Sequence, residues 1–442
     1  DVLRGLRGGP DAAPDLVLRP TDEAAVAAVL DWAGSAGVAV IPFGGGTSVV
    51  GGVEPAVGDG YRGTVSLDLS AIAGVAEVDP VARAARIRAG TPGPDVERAL
   101  ADTGLTLRFF PQSYTRSTVG GWLATRAAGH YTARLQHVDE LVESIRAVTP
   151  AGVWESRRLP GSGAGPSPDR LLLGSEGTFG VITEAWLRLQ AQPVHRASRM
   201  LAAPDLGTGA AAVRALVQAG AAPATCRLVD ARESALTGTL ATGEAALLLG
   251  AESATEPVDE ALAAAAALCQ DHGLRALPGH ESRGGRRTWR SAFVRAPYLR
   301  EWLVLCGVLV ETFETAVTWD RLDALVASVT AATEAALADI AGGGVVTCRL
   351  THAYPDGAAP YFTVLAPARR GSELAQWAEI EAAAKDAVLT AGGTVTHHHA
   401  VGRDHRRWYD RQRPDPFAAA LAAAKAAVDP AGVLNPGVLV GP

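Results

Sequence analysis

Cysteine is sparse in this 442-residue chain: Cys226, Cys269, Cys306 and Cys348 stand far apart, with no CxxC pair. That spacing excludes a disulfide framework, argues against a zinc or iron–sulfur site, and fits a reducing compartment. Long apolar runs are missing too. The greasiest stretch, residues 261–269, is short and mostly alanine, well under the roughly 20 residues a membrane helix needs, so no membrane span is expected. Basic charge is not in excess: 40 Lys and Arg face 47 Asp and Glu, a formal charge of −7, which removes nucleic acid as a bulk partner. The chain opens at Asp1 with neither an initiator Met nor a signal-peptide block, so targeting information is expected to be missing from this start. What is present is a composition 48% hydrophobic and 20% charged, with 49 glycines. Such a chain is globular and rich in tight loops. Its length exceeds the roughly 250 to 300 residues at which one core stops growing, so two domains are expected.

Periodicity organises the first part as interleaved helices and strands. Residues 21–37 carry a polar cap, early acids and Val26, Val29, Leu30 and Ala33 at helical spacing, with Gly37 as a stop. Residues 38–42 read as a buried strand that enters a glycine loop. Val65, Leu67 and Leu69 alternate with polar residues, residues 84–89 alternate likewise, and a helix restarts behind Pro94. Residues 141–149 and 153–157 read as paired strands around the turn Pro150-Ala151-Gly152, and residues 161–168 as a surface loop. Beyond about residue 195 the texture changes to alanine-rich helices (209–220, 257–271, 321–339, 373–391) separated by strands such as 245–250 and 361–365. The domain boundary is placed there, between 194 and 195.

Three glycine segments could carry chemistry. The run from Gly44 to Gly52 lacks the Lys-Ser/Thr end of a Walker A loop, and its glycines do not fall on GxGxxG, so both common nucleotide signatures are excluded. Unhindered N–H groups with Thr47 and Ser48 can still face one concavity and hold a pyrophosphate; taken alone, the loop is equally a tight connection. Ser117-Thr118-Val119-Gly120-Gly121-Trp122 and Gly174-Ser175-Glu176-Gly177-Thr178-Phe179-Gly180-Val181-Ile182 repeat the combination of glycine and small hydroxyl residues. Three such loops within about 140 residues favour one large nucleotide cofactor held by several loops. Farther on stands His397-His398-His399. In an extended segment the outer two rings share one face and the middle one points away, and no Cys or carboxylate stands at ligand spacing, so no metal is expected. The triplet is either a satisfied strand end or an array of donors and proton carriers facing an anion.

In order and spacing the three segments resemble the flavin-binding domain of the vanillyl-alcohol oxidase and p-cresol methylhydroxylase superfamily, and residues from about 13 to 440 follow that pattern. The resemblance is strongest to the alkylglycerone-phosphate synthases (alkyldihydroxyacetone-phosphate synthases). Where the oxidising branch has Ser-Gly-Glu-His-Gly after Gly-Gly-Thr-Val, this chain has Thr396-His397-His398-His399-Ala400. Upstream it has His352-Ala353-Tyr354-Pro355-Asp356-Gly357 in place of a His-x-Gly-Asp-Gly-Asn-x-His run. Two departures stand out: Leu135-Gln136 for a common Tyr-Gly, and Ala400 for a Gly.

The resemblance implies an α+β, two-domain FAD-binding fold, with a flavin domain over residues 1–194 and a cap over 195–442. The C-terminal segment, through Asp429-Pro430-Ala431-Gly432, would return to the flavin. Pro42, Phe43, Gly44, Gly45, Gly46, Thr47 and Ser48 would hold the FAD pyrophosphate. Ser117, Thr118, Gly120, Gly121, Thr125, Arg126, Ala127 and Ala128 would line the flavin, and Glu176, Gly177, Thr178, Gly180, Val181 and Ile182 would complete the site. Thr47 stands where some branches have a flavin-linked His, which implies noncovalent FAD. The implied activity exchanges the acyl chain of acyl-dihydroxyacetone phosphate for a fatty alcohol through an adduct at flavin N5. Tyr361 would carry the proton, the three histidines would assist, and Arg300 and Arg227 would bind substrate. A phenol in that role needs a lowered pKa or a phenolate generated by its surroundings. An arginine suits phosphate because its planar fork donates two hydrogen bonds. The basic run Arg283, Arg286, Arg287 and Arg290 is left out of the site. The alternative is an FAD-linked oxidase or dehydrogenase that takes a hydride from a hydroxy acid or specialised metabolite. A cytoplasmic homodimer acting on small molecules is expected, with contact at a membrane surface left open.

Overall fold

The computed structural model describes residues 12–131, 137–221, 223–277, 282–283 and 299–441. By internal contacts this chain divides into two units. The first holds the stretch up to Gly129, His137–Gln192 and the chain from His398 onward; the second holds His130, Tyr131 and Pro193–His397.

The first unit begins with the short strand β1 (Leu16–Leu18). Asp22 caps helix α1 (Glu23–Ala36): its carboxylate accepts the Ala25 N–H at 2.8 Å, and Gly37, at φ +67°, ends the helix. The helix buries Val26, Leu30 and Ala33 in one core with Val40, Val65 and Leu67. Those strand residues belong to β2 (Val38–Phe43) and β3 (Gly63–Asp68), which pair in parallel with β1 in the order β1-β3-β2. An antiparallel five-stranded sheet follows, built from β4 (Val75–Asp79), β5 (Ala84–Arg88), β6 (Val142–Thr149), β7 (Gly152–Glu155) and β8 (Val181–Arg188) in the order β4-β5-β8-β6-β7. Helices α2 (Gly93–Leu100) and α3 (Val119–Thr125) lie in sequence between β5 and β6. The C-terminal segment joins this unit through hydrogen bonds: the Val40 N–H donates to the Val433 carbonyl at 2.8 Å, and the Asn435 N–H donates to the Val40 carbonyl at 2.9 Å.

The second unit is one large antiparallel sheet with its long helices on one face. In chain order it comprises β9 (His195–Ala203), α4 (Leu206–Gln218), β10 (Thr225–Val229), α5 (Ala231–Leu236), β11 (Ala245–Ser253) and α6 (Asp259–Asp271), then β12 (Val308–Glu314), α7 (Leu322–Ala341), β13 (Val345–Ala353), β14 (Gly357–Pro367) and α8 (Glu373–Thr390). The long strands run in the order β9-β11-β10-β13-β14-β12. Alternation along each strand sends every second side chain to one face. Leu228, Leu247, Leu350 and Phe362 pack there with Val213, Leu262, Leu325, Val329 and Ile380 from the helices. Phe313 and Phe362 stack across β12 and β14 with ring centroids 4.9 Å apart. One helix among the described residues, Trp319–Ala341 with its leading turn, is long and apolar enough by length and composition to cross a membrane, where no membrane span was expected. Its buried residues Leu322, Leu325, Val329, Thr333 and Leu337 recur along a single face, as in a helix laid on a sheet.

Candidate active site

In the first unit the chain leaves β2 into the first glycine loop and is pressed at once against the second. A Cβ on Gly44 would run into Thr118 Oγ1, and one on Gly45 into the Arg116 carbonyl. Thr118 caps α3 by accepting the Gly121 N–H at 3.4 Å. The third loop arrives in left-handed backbone, with Glu176 at φ +50° and Gly177 at φ +77°, and a Cβ on Gly177 would lie 2.8 Å from Pro42 Cγ. The three loops thus meet around an open cleft of about 600 Å³. Pro42, Phe43, Gly44 and Ser48 line it from the first loop; Thr118, Gly120, Gly121 and Thr125 from the second; Glu176, Gly177, Gly180 and Ile182 from the third.

Several residues assigned to the cofactor from the sequence have other partners. Ser117 Oγ accepts the Trp122 indole N–H at 2.7 Å. Arg126 ends α3 in left-handed backbone and pairs with Asp139 at 2.7 Å. The Ala127 N–H donates to the Trp122 carbonyl, and Ala128 bridges His137. The Thr178 hydroxyl reaches the Val438 carbonyl at 3.4 Å, and Val181 is core. Gly45, Gly46 and Thr47 form the turn itself, outside the cleft lining. Sequence reasoning missed Gly52, Val53, Leu69, Ala89 and Ala124, which do line the cleft. Ala124 was findable: with Gly120, Gly121 and Thr125 it makes one face of α3 at helical spacing. The cleft suits an extended dinucleotide, because Gly44, Gly52, Gly120, Gly121, Gly177 and Gly180 in its walls carry no side chain to keep a ligand from the backbone. Residues Leu135 and Gln136 and the side chains of Arg283, Arg286, Arg287 and Arg290 lie outside the described residues.

The second unit places its polar cluster on the sheet face opposite the helical core. Tyr361, at the middle of β14, is directly opposite Glu314 of β12 on one side and Arg349 of β13 on the other. The Arg349 guanidinium lies over the Tyr361 ring, 4.1 Å from its centroid, and its Nη1 is 2.6 Å from Glu233 of α5. Val229 opposes Arg349, so Arg227, two residues along β10, shares that face. Burial and the like charge of Arg349 push the Arg227 guanidinium down to about 9, against the pull of Glu233 and Tyr361. Burial drives the Tyr361 phenol above its ordinary range, against the opposing pull of Arg349, a hydrogen bond with Thr312, and Arg300. This corrects the expectation of a lowered pKa: desolvation outweighs the nearby cations. Arg300 is half-buried and close enough to act on Tyr361 electrostatically.

The histidine triplet is not extended; bends run through residues 397–399. Glu314, itself buried, accepts the Thr396 hydroxyl at 2.7 Å and the His397 N–H. His397 Nε2 shares a 2.6 Å hydrogen bond with the Tyr354 hydroxyl, and its ring lies 4.9 Å from that of His352. In the first unit the rings of His398 and His399 are 4.5 Å apart, and Ala400 follows at φ +71°. The departure from glycine thus falls on a left-handed position. Alternation of side chains needs extended backbone, and the Glu314 tie with the Ala400 corner removes it.

A cleft built by glycine loops and a polar sheet face bearing tyrosine and arginine define a class, and the family comparison agrees. Residues 192–439, more than half of the chain, match the family described as FAD linked oxidases, C-terminal domain, and residues 14–156 match the FAD binding domain family. The chain belongs to the FAD linked oxidases: it is a flavoenzyme whose cofactor is FAD. Among particular proteins, it is similar to the alkyldihydroxyacetonephosphate synthase of Dictyostelium discoideum, with 28% identity over 100% of this chain and 75% of that protein. A solved alkyldihydroxyacetonephosphate synthase shares the fold with a TM-score of 0.81 at 25% identity, covering 99% of this chain and 78% of that one. A p-cresol methylhydroxylase with substrate bound shares the fold alone, with a TM-score of 0.78 at 15% identity over 97% of this chain and 90% of that one.

Proposed function

We propose that the protein exchanges the acyl chain of acyl-dihydroxyacetone phosphate for a fatty alcohol, releasing a fatty acid and forming an alkyl ether. One observation carries this reading: Tyr361 stands between Glu314 and Arg349 across adjacent strands, on a sheet face it shares with the buried Arg227. Guanidinium groups on one sheet face suit a phosphorylated substrate, because each planar fork donates two hydrogen bonds. Arg300 and Arg227 are assigned to the phosphate, and Tyr361 to removing and returning the proton on the reacting carbon. Arg349, over the Tyr361 ring, stabilises the phenolate when it forms. His397, His398 and His399 are assigned as donors toward the leaving carboxylate. When bound, FAD supplies a nucleophilic ring nitrogen and an electron sink. Thr47 in the first loop offers no imidazole for a covalent link, which supports noncovalent FAD.

The location and partners belong to the same proposal. None of the four cysteines forms a disulfide, which supports a cytoplasmic, reducing setting. Leu299, Trp302 and Leu305 are exposed in the helical residues 299–305, which include Arg300, and this supports peripheral contact with a lipid surface. A homodimer is expected and is read by light scattering.

The test is mass spectrometry of the FAD-loaded protein given acyl-dihydroxyacetone phosphate and a fatty alcohol labelled in its oxygen. The carbon–oxygen bond to the carboxylate breaks and one to the alcohol forms, so the label stays in the ether, with equimolar fatty acid and no oxygen consumed. Absence of ether, with flavin bleaching by a hydroxy acid, overturns this reading in favour of the oxidase.

A further inference from the structure

One buried titratable group of the first unit takes no part in the chemistry assigned above. Glu176 lines the cleft from the third loop, in left-handed backbone that side chains other than glycine adopt at a cost. Its backbone is pinned on both sides: its N–H donates to the Ala124 carbonyl at 2.8 Å, and its carbonyl accepts the Asn435 side-chain amide at 2.6 Å. Its carboxylate turns to the segment that follows the histidine triplet. Oε1 accepts the N–H groups of Val401 and Gly402 at 3.0 and 3.1 Å, and Oε2 accepts that of Gly402 at 3.0 Å. The same segment is tied to the first loop, because the Val50 carbonyl accepts the N–H groups of Arg403 and Asp404 at 2.9 and 3.2 Å. Space for the arrangement comes from two glycines. A Cβ on Gly52 would lie 2.9 Å from Glu176 Oε2, and one on Gly402 would strike the Val50 carbonyl.

We infer that Glu176 is a positioning residue whose carboxylate ties the backbone after the histidine triplet to the flavin cleft, so that loading FAD sets His398 and His399 in place. The inference rests on FAD occupying this cleft and is independent of the substrate. His399 and His398 stand two and three residues before Val401, and three and four before Gly402, so a shift of the tie moves the rings. Arg403 faces the carboxylate, with Glu54 and Asp404 beside it around Gly51. Burial pushes the Glu176 carboxyl up to about 7, against the two backbone N–H donors and Arg403. The tie therefore strengthens as the carboxyl ionises through neutral pH.

The test follows ring signals of histidine labelled with carbon-13 in the apoprotein and after FAD is added; the chain has 10 histidines. His398→Gln and His399→Gln assign two of them. In the wild type these two are expected to shift and sharpen on loading. In Glu176→Ala, FAD binds, as seen by its visible absorbance, and the two signals stay at their apoprotein positions. Glu176→Gln keeps one carbonyl acceptor in place of a two-oxygen carboxylate and is expected to give a smaller shift than the wild type at pH about 8, where the carboxylate is ionised. A full wild-type shift in loaded Glu176→Ala overturns the inference. If Glu176→Ala does not load, Glu176→Gln decides alone, and a shift equal to that of the wild type at pH about 8 overturns the inference. No turnover is needed, so failure of the ether synthesis assay leaves this result readable.

Discussion

Arg349 is the residue on which the chemistry of the sheet face turns, and nothing in the sequence pattern singles it out. Tyr361, Arg300 and Arg227 were legible only through resemblance to known synthases; Arg349 and Glu314 become visible once the register sets both opposite Tyr361. A strand pairing is a long-range fact that local periodicity does not encode. Burial holds the phenol high and Arg349 pulls it down, so removing the cation raises the phenol further. A phenol acting as base works above its pKa, and the rising limb of kcat/KM is therefore expected to move to higher pH in Arg349→Met, with a roughly 100-fold loss near neutrality. Arg349→Lys keeps the charge and is expected to leave the limb close to its original place; identical profiles for wild type and Arg349→Met would remove Arg349 from the mechanism. Ala400 is the second such residue. At φ +71° an L side chain is strained by roughly 1–2 kcal/mol, and glycine gives part of that back in chain entropy. Ala400→Gly is expected to stabilise the apoprotein by about 1 kcal/mol in urea unfolding. A destabilised variant would mean that the methyl group packs favourably enough to outweigh the strain.

Elements were legible where a local cause fixes them. Asp22 and Gly37 bound α1 by capping and left-handed closure, and the alanine-rich stretches are helices at nearly the residues that periodicity indicates. The glycine loops were found as loops, yet which of their members line the cleft depends on how loops from distant sequence positions press together. Ser117 illustrates the point: its hydroxyl suits a phosphate by type, and it is engaged by Trp122 five residues along. Gly45 shows the converse, for it lies outside the cleft lining and still controls the cleft. Any side chain there meets the Arg116 carbonyl, so the first and second loops must separate. Gly45→Ala is expected to purify folded and colourless, with FAD affinity lowered at least about 100-fold, as a displaced backbone cradle loses several hydrogen bonds at once. Fluorescence titration with FAD measures this, and wild-type affinity would show that the loops yield without loss.

For the whole molecule, sequence texture changes near residue 195, and by internal contacts Pro193 opens the main stretch of the second unit. Texture could not show that the chain from His398 onward belongs with the first unit, because that grouping rests on contacts such as Val40 with Val433 and Glu176 with Gly402. One of these contacts marks global stability. The Glu176 carboxyl sits at about 7 in the fold against an ordinary 4.5, so between these values the native state binds more protons than the unfolded chain. Stability from this group therefore falls as pH rises through that window and is level above it. Relative to Glu176→Gln, the wild-type apoprotein is expected to lose about 3 kcal/mol between these two pH values in urea unfolding. Parallel curves for the two proteins would refute the shifted carboxyl. The division of the chain also bears on how such enzymes diversify. Each unit is assembled from separate stretches of sequence, and one crossing falls inside the histidine triplet, between His397 and His398. A single genetic crossover near residue 195 cannot exchange an intact flavin unit, since its last 40-odd residues would stay with the other parent. Chimeras with a second junction at His397/His398 inherit the triplet from two parents, so exchanging the whole flavin unit divides the triplet.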